Sequence, residues 1–236
     1  MEFLYAAELK KRYACLGHFY ELEFSDGGRA KCRSVLELVD GTVPWLDPSD
    51  ISIMEPDAVV IMMNPGSSHP KDAGYVPRTL AYPQREGGFR KELVPTQPDN
   101  TQYQVMRIAV EQGWHHIRVL NLSDLRDPKS GSFVQTIDAL GAVPGGHVHS
   151  IFCPERSAEC AQALKRKNNT PIMLGWGQVP GLLPLAGQCM ERLSGEPTAT
   201  VQSDVHPLLN AHPSPMLQRK KIEWLERMRS ALAELY

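Results

Sequence analysis

Four short stretches of this chain carry residue types that can do chemistry. They are Asn64-Pro65-Gly66-Ser67-Ser68-His69, Asn121 within Val119-Leu120-Asn121-Leu122, Leu174-Gly175-Trp176-Gly177, and Ala211-His212-Pro213-Ser214-Pro215-Met216. Together they offer two amides, two imidazoles and several small hydroxyls. An amide has one acceptor and two donors, so it can pair with the polar edge of a pyrimidine in either donor–acceptor order. An imidazole held in a water-poor pocket can stabilise a developing anion. No carboxylate falls in these stretches, and neither G-x-x-x-x-G-K-[ST] nor G-x-G-x-x-G occurs, which disfavours P-loop nucleotide hydrolysis and hydride transfer on a dinucleotide fingerprint.

The elements that must hold these residues follow from the hydrophobic pattern. Residues 58–63 form an unbroken apolar run stopped by Asn-Pro-Gly, the pattern of a strand buried on both faces. Residues 117–122, 172–176 and 199–203 read as three further strands. Residues 102–112 (ending at Gly113), 155–167 and 216–235 read as helices. Strands alternating with helices predict an α/β fold, three-layered α/β/α, around a central, mostly parallel four-stranded sheet. Such sheets bind ligands at the carboxyl ends of their strands, where the four stretches lie. The first 54 residues differ. Residues 18–24 and 29–39 are rich in β-formers and flank Ser25-Asp26-Gly27-Gly28, which predicts a hairpin extension packed on a main domain of residues 55–236. Residues 41–50 read as a connector. Residues 74–100, with four prolines, read as one long loop of the kind that is functional or disordered.

Composition sets the outer bounds. The chain has 236 residues, 42% of them hydrophobic, enough for a sizeable core. Its formal net charge of −2 excludes a histone-like basic protein but not a local basic patch. The longest apolar run is far shorter than a membrane helix needs, and Met1-Glu2-Phe3-Leu4 lacks a secretory n-region, so a cytoplasmic protein with no membrane partner is expected. Cys15, Cys32, Cys153, Cys160 and Cys189 contain no C-x-x-C pair and are expected as buried thiols. His147 and His149 read as surface or edge residues, and Lys165-Arg166-Lys167 as a solvated face. No metal or cofactor is expected.

Taken in order, the four stretches resemble the uracil-DNA glycosylase superfamily over residues 58–221. Asn64-Pro65-Gly66 is similar to the first motif of its mismatch-specific and single-strand-selective branches. His212-Pro213-Ser214-Pro215 matches its second motif almost letter for letter, and Asn121 stands in the place of the asparagine that reads the flipped base. The resemblance implies a monofunctional DNA glycosylase that flips a pyrimidine and hydrolyses its N-glycosidic bond to leave an abasic site. DNA is the implied partner. Asn64 would hold the attacking water, and His212 would face the base carbonyl O2. Asn121, Met63, Gly66 and Tyr75 would surround the base, with Tyr82 and Phe89 as rivals of Tyr75 for stacking. Ser67 and Ser214 would contact phosphates, Met216 would wedge into the stack, and Arg219 and Lys220 (with Lys221 beside them) would meet the backbone.

The thymine-rejecting branch carries a tyrosine where this chain has Gly66. A glycine admits a 5-substituted pyrimidine, so the implied substrate is uracil or a modified base of the kind found in bacteriophage DNA. An amide at position 64 cannot take up a proton, which predicts reliance on leaving-group stabilisation. Two alternatives stand beside this reading: a nucleoside or nucleotide N-glycosidase acting on small molecules, and a non-catalytic nucleic-acid-binding module of the same fold. Taken singly, Asn-Pro-Gly is usually a turn and Arg219-Lys220-Lys221 a solvated helix face; their conjunction at one sheet edge carries the argument.

Overall fold

The structure is a computed structural model and describes residues 3–42, 44, 47–81 and 92–235, with only the backbone of Ser130. Among these residues there are nine strands: β1 (Tyr13–Glu23), β2 (Arg29–Asp40), β3 (Ala58–Met62), β4 (His69–Pro70), β5 (Arg78–Ala81), β6 (Val94–Gln97), β7 (His116–Asn121), β8 (Ile172–Gly175) and β9 (Thr198–Thr200). The α-helices are α1 (Ala6–Arg12), α2 (Pro48–Ile53), α3 (Asn100–Gln112), α4 (Ser130–Leu140), α5 (Ser157–Ala163), α6 (Leu183–Arg192) and α7 (Gln218–Ala233).

The strands make one mixed sheet in the order β4-β6-β1-β2-β7-β3-β8-β9, with β5 alongside β1. Within it β3 pairs in parallel with β7 and β8, and β8 in parallel with β9. The expectation of a central four-stranded sheet with a hairpin packed on it needs correction. The hairpin is not a separate layer: β2 pairs antiparallel with β7, Leu36 opposite Val119 and Leu38 opposite Ile117, so the hairpin continues the sheet edge to edge. A buried charge cluster holds this seam. Glu37 accepts from Arg118 Nε at 2.7 Å and pairs with His116 Nε2 at 2.9 Å across it. Burial alone would raise the Glu37 carboxyl; Arg118 and His116 outweigh it and hold the group below its usual value.

The strands alternate their side chains between two cores. Val59 and Ile61 of β3 face one, with Leu120, Leu174, Phe133 of α4 and Leu185 of α6. Ala58, Val60 and Met62 face the other, with Val119, Met106 and Ile108 of α3, Leu9 of α1 and Met228 of α7. Helices therefore cover both faces of the sheet. α3 starts at an Asp99 capping box closed by Gln102 and stops at Gly113, whose φ of 68° is the left-handed C-cap geometry that glycine adopts without strain.

Several local expectations change. The stretch 74–100 is not one loop, since β5 and β6 lie in it and both pair with β1. Helices α2, α4 and α6 were not expected, and the helix expected at 155–167 is α5, seven residues long. His149 is buried rather than at the surface. In the supposedly solvated Lys165-Arg166-Lys167, the Arg166 side chain is 3% exposed and pairs with Glu196, while Lys167 pairs with Asp57. All five cysteines are buried free thiols. Among the described residues no helix is long and apolar enough to cross a membrane.

Candidate functional site

The second motif loop closes over the carboxyl end of β8, beside the end of β3. A Cβ built on Gly175 would lie 2.9 Å from Pro213 Cγ and 3.2 Å from Met62 Sδ, so glycine lets Pro213 and the last residue of β3 approach this strand end. The second motif arrives there by a detour. After β9 the chain turns out and returns through a Gln202–Asn210 bridge, and Asn210 closes on Gly177 in both directions: its N–H donates to Gly177 O (3.3 Å) and its Oδ1 accepts from Gly177 N (3.2 Å). The loop is then pinned from α3 and α7. Gln104 Nε2 donates to Pro213 O at 2.9 Å and to Lys221 O at 3.0 Å, and Trp224 Nε1 donates to Ala211 O at 3.0 Å.

Asn64 is half-buried and its orientation is set by the backbone. Its Nδ2 donates to the carbonyl oxygens of Leu125 (3.2 Å) and Asp127 (2.6 Å), which leaves Oδ1 as the group available to an incoming water or substrate. Asn121 closes β7 opposite Met62 of β3. It is 0% exposed, and neither its Oδ1 nor its Nδ2 has a hydrogen-bond partner. A buried primary amide left wholly unpaired costs about 1–3 kcal/mol, so its position at a strand end points to a ligand that supplies both missing bonds.

His212 stands over Gly177, with its Cβ 3.9 Å from the point where residue 177 would carry one. Ser214 N–H donates to His212 Nδ1 at 3.2 Å. A backbone N–H can only donate, so Nδ1 is an acceptor and the neutral ring carries its proton on Nε2. Burial lowers the His212 pKa, against the opposing pull of Asp99, so the ring stays neutral at pH 7.

Asp99 is the residue that sequence reasoning missed. It caps α3, accepting from Thr101 N at 2.8 Å, and its Oδ2 lies 3.1 Å from where Gly66 would carry a Cβ. Its charge also acts on His212. A carboxylate has roughly four acceptor positions, so capping leaves it capacity for a further partner. The absence of a carboxylate from the strand-end motifs is thus made good by one from a helix start. The only signal for it in the chain is the capping box Asp99-Asn100-Thr101-Gln102 at the close of the Pro-rich stretch. Gly66 has two reasons to be glycine: a φ of +62° and the close carboxylate.

The remaining expected residues divide. Met63 packs its side chain against a core cluster and offers the site only its carbonyl, which already accepts from Ser123 N at 3.2 Å. Ser67 is exposed; the neighbouring Ser68 is the hydroxyl turned inward, 1% exposed with an unpartnered Oγ. Ser214 is half-buried and acts through its N–H. Met216 is 98% exposed and precedes α7 rather than lying within it. Arg219 is exposed, while Lys220 is paired with Glu223 at 2.7 Å. Tyr75 is half-buried, and the charges acting on it are those of Glu92 and Arg78 rather than of motif residues. Tyr82 and Phe89 lie outside the described residues.

Among the described residues no group of three or more His, Cys, Asp or Glu is arranged to hold a metal. No family model, no curated protein and no solved structure matches the chain.

Proposed function

We propose that this protein is an N-glycosyl hydrolase that takes a pyrimidine nucleotide turned out of DNA and leaves an abasic site. The observation that carries the reading is the buried, unpartnered amide of Asn121 at the end of β7, opposite the last residue of β3, the strand that leads into the first motif. The order of the parallel strands, β7-β3-β8-β9, supports it as well, because it gathers the motif-bearing strand ends side by side, as the resemblance to uracil-DNA glycosylases implies.

The chemistry follows from charge. Cleaving C1′–N1 sends the bonding electrons to the base and leaves positive charge on the sugar. The Nε2–H of neutral His212 donates to base O2 and stabilises the departing anion; the donor is aimed before charge develops and needs no reorganisation. Asn121 pairs with the polar edge of the base. Asn64 Oδ1 accepts a hydrogen bond from the attacking water, and Asp99 stabilises the sugar cation and takes the proton the water loses. That last role replaces the expectation of a site without base assistance. Gly66 leaves the C5 side of the base without a side-chain wall, which suits a 5-substituted pyrimidine. Met216, held out in solvent, fills the stack from which the nucleotide has left.

The test is a panel of oligonucleotides carrying uracil, thymine, 5-hydroxymethylated or glycosylated pyrimidines, followed by alkali to break the strand at abasic sites. Cleavage that disappears in His212→Ala supports the reading, and no cleavage of any member ends it. The small-molecule alternative has one observation in its favour: Lys220, one of the three basic residues after the second motif, is already matched by Glu223. Hydrolysis of free nucleotides, with binding that barely weakens as salt rises, would establish that alternative.

A further inference from the structure

Two arginines beside the candidate site, one on the hairpin and one just after β7, have no carboxylate paired with them among the described residues. Arg33 of β2 is 0% exposed, yet its Nε and Nη1 have no hydrogen-bond partner and no carboxylate pairs with it among the described residues. Arg126, half-buried, lacks a partner for Nε. A buried guanidinium is ordinarily matched by carboxylates and carbonyls on all its donors, because stripping its water without replacement is costly. Arg118, in the same sheet, shows that ordinary case: it donates to Glu37, Ala163 O and Met54 O.

The two side chains share a place. Arg33 lies directly across the hairpin from Phe19, and the Arg126 guanidinium stands 5.2 Å from the Phe19 ring centroid. Their backbones are laced together, Arg33 N to Asp124 O at 2.8 Å and Arg126 N to Lys31 O at 2.9 Å. Each is tied to the candidate site. Arg126 sits between Leu125 and Asp127, the two carbonyls that orient Asn64. Arg33 feels the charge of Asp99, the carboxylate that also acts on His212 and approaches Gly66. A bulge in the hairpin ladder at His18/Phe19 helps place Arg33, since it shifts the β1–β2 register there. The charge of Asp124 also acts on Arg33, yet Asp124 hydrogen-bonds neither arginine: its Oδ2 is taken by Tyr20 OH (2.7 Å) and Arg156 Nη1 (2.8 Å), and its Oδ1 has no hydrogen-bond partner.

We infer that Arg33 and Arg126 form an anion subsite that receives a phosphate group, on the hairpin side of the candidate site. Three unpartnered donor nitrogens, with four N–H bonds between them, on two guanidinium groups suit a tetrahedral oxyanion better than a carboxylate with two oxygens and one charge, and the charges of Asp99 and Asp124 act on Arg33 without bonding it. The subsite itself does not depend on glycosidic cleavage; its assignment to a nucleotide phosphate rests on the proposed function. Burial lowers the Arg33 pKa to about 10, which keeps it charged at neutral pH and leaves its demand for an anion intact.

The test uses the full chain and inorganic phosphate as the probe, at constant ionic strength made up with chloride. Phosphate is expected to bind saturably and, at a hundredfold excess over Kd, to raise Tm by about 5 °C. Arg33→Met is expected to weaken phosphate binding at least tenfold in Kd while its ligand-free Tm stays level or rises, because Nε and Nη1 of Arg33 have no partner to lose among the described residues. A residue with a purely structural role would lower Tm and leave phosphate affinity alone. Arg126→Met gives the same readout should Arg33→Met fail to fold. Absence of saturable phosphate binding by the native chain, or binding retained in every folded variant, overturns the subsite.

A second arm separates the sources of phosphate. A deoxyuridine 5′-monophosphate that outbinds deoxyuridine through Arg33 assigns the subsite to a free nucleotide. An advantage seen only with a single-stranded oligonucleotide assigns it to the DNA backbone. Failure of base excision with phosphate binding intact would remove the proposed function and leave the subsite standing.

Discussion

Oδ2 of Asp99 stands 3.1 Å from the point at which residue 66 would carry a Cβ. A helix cap and a turn glycine nearly 35 positions apart thus act as one unit, with the carboxylate facing the first motif because nothing protrudes from position 66. Asp99→Asn retains a good N-cap, so the fold should hold. Single-turnover excision should fall about 100-fold, the scale of a lost general base. Unchanged rates would remove Asp99 from the reaction.

Gly66→Ala probes the same approach from the other side. The left-handed φ of +62° costs an L residue about 1–2 kcal/mol, and the new methyl would also displace the carboxylate. Urea unfolding should show a loss of that size, and excision should drop as it does in Asp99→Asn.

Asn121 predicts an exchange of stability for function. Asn121→Leu replaces an unpaired buried amide with an apolar group of similar shape. It should stabilise the fold by about 1–3 kcal/mol in urea unfolding and abolish binding of the excised base. A destabilised Leu variant would mean that the amide has partners in the resting protein.

Ser214 N–H occupies Nδ1 of His212, so in the proposed reaction His212 works as a neutral donor through Nε2. Its lowered pKa places the acid limb of the pH–rate profile below the ordinary histidine value of about 6.5. Rates should therefore be level through pH 7 and fall on acidification. His212→Ala should lose about 10²–10³-fold without an acid limb from this group. Met216→Ala, by contrast, should leave stability within about 0.5 kcal/mol and impair excision from duplex more than from single strands, since only a duplex leaves a gap to be filled.

Stability should also fall in mild acid, through a buried imidazole outside the four motif stretches. Burial, reinforced by Arg156, lowers the His149 pKa to about 4. Between that value and about 6.5 the unfolded chain binds the extra proton, so stability rises with pH there. The contribution is complete above pH 6.5 and is lost as pH falls toward 4, by about 3 kcal/mol at most. Urea midpoints at pH 7 and pH 4.5 should converge in His149→Phe relative to the native chain.

Local patterning sufficed for much of this protein. An unbroken apolar run such as residues 58–63 can only be a strand buried on both faces, and Asn-Pro-Gly can only end it, so β3, β7 and β8 and the loops after them were legible residue by residue. The β-formers flanking Ser25-Asp26-Gly27-Gly28 marked the hairpin equally well. Where that hairpin goes was not legible. Edge pairing depends on backbone N–H and C=O groups that every residue carries, so only the folded chain decides that β2 joins β7. The same holds for β5 and β6, four residues each within a Pro-rich stretch and stabilised by β1 rather than by their own pattern. Asp99, Arg33 and Arg126 were hidden for a related reason. Each lies outside the four motif stretches, on a helix start, a hairpin strand or the segment after β7. What makes these residues unusual, a close approach or a missing partner, is a property of neighbours brought together from distant parts of the chain. Residue type and spacing determined which groups could act, whereas three-dimensional packing alone decided which of them were left unsatisfied at the cleft.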